Sequence, residues 1–162
     1  MDEPVPIHIV MRFADGFLSA EDTIAEHRAV IAKHGCALIG KLGKTLGEDH
    51  ITQLRKQCQE GTPTYLFLVQ KVGREYEVHC ANVLDVSRNL PVKEKSLVPK
   101  YYDRLGISSQ IALWFKVSRI SRFKTGGLSD YRIASSKKRV SQALRGSMAG
   151  LFIIEEGIAM DY

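Results

Sequence analysis

The stretch Thr64-Tyr65-Leu66-Phe67-Leu68-Val69-Gln70-Lys71-Val72, followed by Gly73 and then Tyr76-Glu77-Val78-His79-Cys80-Ala81-Asn82-Val83, sets the architecture. Both runs are dense in β-branched and aromatic residues, which suit a pleated surface, and a glycine between them permits a tight turn. They read as an antiparallel hairpin. Working outward, Ile7-His8-Ile9-Val10-Met11-Arg12-Phe13 is a further strand, ended by a turn at Ala14-Asp15-Gly16. Ser19 and Asp22 suit a helix N-terminus, and a helix is expected from there to His34, with Ile24, Arg28, Ile31 and the alanines Ala25, Ala29 and Ala32 marking its stripe. Gly35 stops it. Cys36 to Gly40 is a short buried strand, and Lys41-Leu42-Gly43-Lys44 is a glycine-punctuated loop. A second helix spans about 48–59, with Ile51, Leu54 and Cys58 inward.

The second half continues in the same alternation. Residues 88–108 read as a polar loop, and 111–120 as a strand with Phe115 and Val117 inward and Lys116 and Ser118 outward. Gly126-Gly127 is a turn and Tyr131-Arg132-Ile133 a short strand. Ser135 or Ser136 caps a basic helix over 137–145, with Val140 and Leu144 inward, and residues 150–155 close the sheet. Strands of this number, with helices at irregular spacing, favour α+β over repeated βαβ units. The expected form is a small, curved, mostly antiparallel β-barrel with two or three flanking helices. Its core is expected to include Ile9, Met11, Leu38, Leu66, Leu68, Val83, Leu113, Phe115, Val117, Phe152 and Ile154. With 162 residues, 44% of them apolar, the chain fits a single domain over 1–162 with its core in 7–155.

Composition narrows the function. No apolar run approaches a membrane span, and the acidic start Met1-Asp2-Glu3-Pro4 lacks the pattern of a signal peptide. Cys36, Cys58 and Cys80 are odd in number and far apart, against a disulfide framework or a cysteine zinc site. A cytoplasmic setting is expected. The net charge of +5 is uneven: residues 1–87 hold 9 Lys/Arg against 12 Asp/Glu, and residues 88–162 hold 14 against 6. Such asymmetry suits a polyanion partner, and a merely solubilising surface is the plainer alternative.

Catalytic motifs are sparse. Gly40-Lys41-Leu42-Gly43-Lys44-Thr45 ends like a phosphate-binding loop but lacks the first glycine in register. His27 and His34 lie seven apart and read as helix-surface histidines rather than metal ligands. Glu75 and Glu77 with Lys71 are too little for a metal-dependent nuclease. Neither a catalytic residue nor a metal or other cofactor is expected.

Aromatics interleaved with bases are the more informative set. Rings stack on unpaired bases while Lys and Arg hold phosphates. Tyr65, Phe67, Tyr76, Tyr101, Tyr102, Trp114, Phe115 and Tyr131 belong to it, and most are expected to pack the core. Trp114, Tyr101 and Tyr102 are the candidate pocket walls, the tyrosine pair because it falls in a loop. Asn82, Ser108 and Ser109 are candidate edge readers. Lys41 and Lys44 are candidate phosphate contacts, and Lys116, Arg119, Arg122, Lys137, Lys138 and Arg139 are expected to form one basic patch.

Ile9-Val10-Met11-Arg12-Phe13-Ala14-Asp15-Gly16, Thr23-Ile24 with Glu26-His27, His34-Gly35 before Ile39-Gly40-Lys41, Tyr65-Leu66-Phe67, Pro99-Lys100-Tyr101-Tyr102 and Trp114-Phe115-Lys116-Val117 with Ile120 follow one another in an order that resembles PUA-like domains of the EVE type. The closest resemblance is to the N-terminal DNA-reading domains of Mcr-type modification-dependent restriction systems, over about 7–155. It implies a barrel that accepts a flipped, modified base in an aromatic cage. It also implies a defence setting, with DNA ahead of RNA as partner and a motor or nuclease subunit alongside. The family pattern has tryptophans after the glycine of the second strand, where this chain has Cys36-Ala37-Leu38-Ile39, so the cage is either absent or built elsewhere. The expected function is a non-catalytic nucleic-acid-binding module. A protein-interaction or small-ligand sensor domain is the alternative, and a small nuclease stands third.

Overall fold

A computed structural model describes residues 5–12, 20–43, 45–72, 75–90, 92–146 and 150–160. The hairpin is formed by β3 (Tyr65–Val72) and β4 (Glu75–Ser87), antiparallel from Val72 opposite Glu75 to Tyr65 opposite Asn82. β4 pairs along its other edge with β5 (Ile111–Phe123), and β5 with β2 (Ala37–Leu42). On the far side β3 pairs with β1 (Ile7–Arg12), β1 with β7 (Leu151–Glu156), and β7 with β6 (Tyr131–Ile133). The order is β2-β5-β4-β3-β1-β7-β6. Only β1–β3 is parallel among these pairings. A parallel pair needs a long crossover, and the chain supplies it through α1 (Ala20–His34), β2 and α2 (Glu48–Gln59).

The fold is α+β as expected, and the expected small curved, mostly antiparallel barrel holds only roughly: the seven strands form one mixed sheet that does not close, leaving two edges. Each edge is satisfied locally rather than by the other. Beside β2, the Gly40 N–H donates to the Tyr102 hydroxyl at 3.0 Å. Beside β6, the chain folds back: the Ile133 N–H donates to the Lys138 carbonyl at 2.9 Å, and Arg132 bridges to Arg139.

Both faces of the sheet are covered. β1 is buried from Ile7 through Met11, with no polar face. One face packs Ile9, Met11, Leu66, Leu68, Val83, Leu113, Phe115 and Val117 against Ile24 of α1 and Ile51 and Leu54 of α2. The other face collects Val10, Phe67, Val69, Val78 and Ile154, with Phe152 half-buried at its margin. Leu38 belongs to a third cluster, with Trp114. The eleven expected core residues therefore fall in three clusters instead of one barrel interior. Complete burial of a Leu or Ile side chain contributes about 1.5–3 kcal/mol.

The helices settle differently from their apolar spacing. On α1, Thr23, Ile24 and His27 are buried while Ala25, Ala29 and Ala32 face solvent. Methyl groups remove little area from water, and the larger side chains orient the helix. On α2, Gln57 is buried, and its Oε1 accepts the Ile7 N–H at 2.8 Å. Its Nε2 donates to the Ile7 carbonyl at 2.9 Å and to Thr64 Oγ1 at 3.1 Å, so one amide ties α2 to the starts of β1 and β3.

The expected polar loop at 88–108 is also corrected. It holds a 3-10 segment (Val92–Leu97) and the short helix α3 (Tyr101–Arg104), and it buries Leu97, Tyr101, Tyr102 and Ile107. The basic helix expected over 137–145 begins later, as α4 (Val140–Gly146); a turn at 134–136 precedes Lys137–Arg139, which lead into it. Lys41 lies within β2 rather than in a loop. The turn at 14–16, the Ser19 cap, Lys44 and Gly73 lie outside the described residues.

Candidate nucleic-acid interface

The three aromatics expected as pocket walls are core residues. Trp114, Tyr101 and Tyr102 are 3, 4 and 2% exposed. Tyr101 and Tyr102 stack with ring centroids 4.4 Å apart, and Tyr102 meets Trp114 at 5.7 Å. The Tyr102 hydroxyl closes a buried network. His27 Nδ1 lies 2.7 Å from the Thr23 carbonyl, which can only accept, so Nδ1 carries the proton. Nε2 is then the acceptor for the Tyr102 O–H at 3.0 Å, and the same oxygen receives the Gly40 N–H. Burial pushes the Tyr102 hydroxyl up to about 12, against the lowering effect of its hydrogen bonds. Burial takes His27 down to about 4, so the ring is neutral at physiological pH. His27 is thus no helix-surface histidine, while His34 is exposed. A tyrosine doublet in a polar stretch signals burial here because one hydroxyl has a strand edge and an imidazole to satisfy.

Three of the six bases expected in one patch are held by acids within the fold. Lys116 Nζ donates to Glu94 at 2.5 Å, Arg122 pairs with Glu77 at 3.2 Å, and Lys137 pairs with Glu155 at 2.6 Å. Arg122 lies opposite His79 and close to Arg28 of α1. Arg119 sits at an irregularity of β5 beside Cys80, whose strand position faces away from that of His79. Lys137, Lys138 and Arg139 follow β6, which four strands separate from β5 in the sheet order.

Glu155 is buried and accepts from Lys137 and, at 2.9 and 3.2 Å, from Arg132. Desolvation raises its pKa, but these bonds and charges win and hold the carboxyl below its ordinary value. Lys137 is accordingly a partner inside the fold. The remaining expected residues scatter. Ser108 Oγ donates to Asp103 at 2.7 Å, Ser109 is exposed, and Lys41 is half-buried with Nζ 3.0 Å from where a Gly150 side chain would begin.

A different aromatic group reaches the surface. Residues directly opposite on paired strands share a face, so Tyr65 and Asn82, Phe67 and Cys80, and Val69 and Val78 line one side of the hairpin. On that side His8 stacks on Tyr65 at 5.2 Å, and Tyr131 of β6 meets His8 edge-on at 5.6 Å. Phe67 joins Tyr65 at 6.1 Å, Tyr131 at 5.2 Å and Phe123 at 5.1 Å. His8 and Phe67 form the floor, 3 and 1% exposed. Tyr65, Phe123, Tyr131 and Cys80 are half-buried, and Asn82 and Arg119 are exposed. Burial, then the nearby acids and Cys80, pushes the Tyr131 hydroxyl up to about 12. Burial likewise lifts Cys80 to about 11, with Arg119 pulling the other way, which favours the protonated thiol at neutral pH. Of the expected site residues, the structure brings only Asn82 and Arg119 to this cluster. Tyr65 and Tyr131 have no distinguishing mark in the sequence, because their juxtaposition depends on β6 lying across the sheet face.

Half-buried rings can stack on a planar group, and an amide and a guanidinium beside them offer hydrogen bonds and positive charge. The Pua-like family model matches residues 9–148, and the chain belongs to that family. No curated protein and no solved structure matches it. No helix of the described residues is long and apolar enough to cross a membrane.

Proposed function

We propose that this chain is a non-catalytic nucleic-acid-binding module that takes an unstacked base against Tyr65 and Tyr131. The carrying observation is the four-ring group of His8, Tyr65, Phe67 and Tyr131, two of whose members are half-buried beside the exposed Asn82 and Arg119. The rings supply a stacking surface, Asn82 offers a donor and an acceptor to a base edge, and Arg119 suits a phosphate. Its resemblance to EVE-type DNA readers makes a modified base in DNA the first ligand to test, with a motor or nuclease subunit as the associated machinery. A small-ligand or protein-interaction role at the same place is the second reading. Lys116, Arg122 and Lys137, already paired with acids, favour it, since a polyanion would have to compete with those partners.

The test is anisotropy with single-stranded oligonucleotides, plain or carrying a modified cytosine, across a salt series. Tyr131→Ala should cost about 1–3 kcal/mol of binding. Arg119→Ala should weaken all sequences alike and lower the salt slope by about 1. An absence of oligonucleotide binding at low salt would leave the second reading.

A further inference from the structure

We infer that His8 is a specificity-determining residue of this site: its Nε2–H selects planar ligands that present an in-plane hydrogen-bond acceptor, a carbonyl oxygen or a ring nitrogen. The inference rests on the Tyr65–Tyr131 site proposed above. The Tyr65 backbone N–H donates to His8 Nδ1 at 3.1 Å, where β3 begins beside β1. That bond occupies the Nδ1 lone pair, so the proton of the neutral ring must sit on Nε2. Burial draws the His8 pKa down to about 4, which keeps the ring neutral at physiological pH. The tautomer is therefore fixed by the backbone.

Nε2 makes no hydrogen bond among the described residues, although His8 is only 3% exposed. Nε2 is not one of the fully buried side-chain atoms left without a partner, which among the described residues are Arg12 Nε, Glu26 Oε2 and Gln70 Oε1, so it opens to solvent, where a partner from outside the chain can reach it. Tyr65 stacks on one side of the imidazole and Tyr131 stands edge-on to it, so what reaches Nε2 is bordered by two rings. A flat ligand with an acceptor on its edge meets both conditions. One whose edge carries only donors would place N–H against N–H. Asn82 and Arg119, farther out, have no such fixed polarity: an amide can turn, and a guanidinium is drawn to charge.

The test uses two rings that differ by one acceptor, indole and benzimidazole, titrated at pH 7.5 and followed by side-chain nitrogen NMR of His8. Wild type should bind benzimidazole about tenfold more tightly than indole, the scale of one well-placed hydrogen bond. His8→Asn can still offer Tyr65 an acceptor near the Nδ1 position and so keeps the start of β3, but it does not extend to Nε2. It should retain its fold by amide shifts and lose the preference. His8→Gln carries an amide N–H near the Nε2 position and should recover part of it. Equal binding of both rings by wild type overturns the role of His8 while leaving the site itself. Preference undiminished in His8→Asn does the same. If neither ring binds and Tyr131→Ala changes no affinity for any oligonucleotide, the site and the inference fall together.

Discussion

Tyr102→Phe removes one oxygen atom and separates the core reading of the tyrosine pair from the pocket-wall reading. The hydroxyl donates to His27 Nε2 and accepts from Gly40 N–H, each at 3.0 Å, and Tyr102 is 2% exposed. The phenyl ring keeps its stack on Tyr101 and its contact with Trp114, so no cavity opens. What remains is one orphaned donor and one orphaned acceptor. Each buried unsatisfied group costs about 1–3 kcal/mol, and because the two share one oxygen the total should fall at about 2–4 kcal/mol. Urea unfolding followed by the fluorescence of Trp114, the single tryptophan, reports this from beside the lesion. The midpoint should drop with the slope unchanged. Oligonucleotide affinity per folded molecule should not change. A loss below about 1 kcal/mol, or lost affinity at full stability, would refute the network and restore Tyr102 as a wall.

Other expectations follow from the same packing. Glu155 is held below its ordinary pKa, so its contribution is complete above the unfolded value of about 4.3 and is lost as pH falls through the folded value. Glu155→Gln should flatten the urea midpoint between pH 5 and 3, and an unchanged slope against pH would count against the Arg132–Glu155–Lys137 group. His8 and His27 both titrate near 4 in the fold against about 6.5 unfolded, so the unfolded chain takes up protons first. Stability should be full above pH 6.5 and decline toward pH 4, by up to about 3 kcal/mol per ring; a flat profile over that window would contradict their burial. Leu54→Ala should cost about 2–5 kcal/mol, while Ala29→Lys on the exposed face of α1 should stay within about 0.5 kcal/mol by thermal and urea unfolding.

Strand identity was legible because it rests on local chemistry. The β3–β4 hairpin, the start of β1 and the inward set Leu113, Phe115 and Val117 follow from alternation and β-branching alone. Face assignment was harder. Strands buried on both sides, such as β1, lose the alternation that tells one face from the other, so Ile154 and Leu38 joined clusters other than that of Ile9. The parallel β1–β3 pairing and the β6 edge depend on contacts far apart in sequence. The site suffered most from this. Asn82 was legible as an exposed amide on a strand, and Arg119 as one of the bases. The sequence points to the aromatic doublet as the stacking surface, whereas Tyr65 and Tyr131 are 66 positions apart and meet through His8 and Phe67.

The most direct test of the proposed interface is an amide NMR titration with a short single-stranded DNA containing one modified cytosine. The account predicts shifts centred on His8, Tyr65, Asn82, Arg119 and Tyr131, reduced when Tyr131 is replaced by Ala, with Tyr101, Tyr102 and Trp114 unmoved. Shifts centred on Trp114 and the tyrosine pair, or none at low salt, would contradict it.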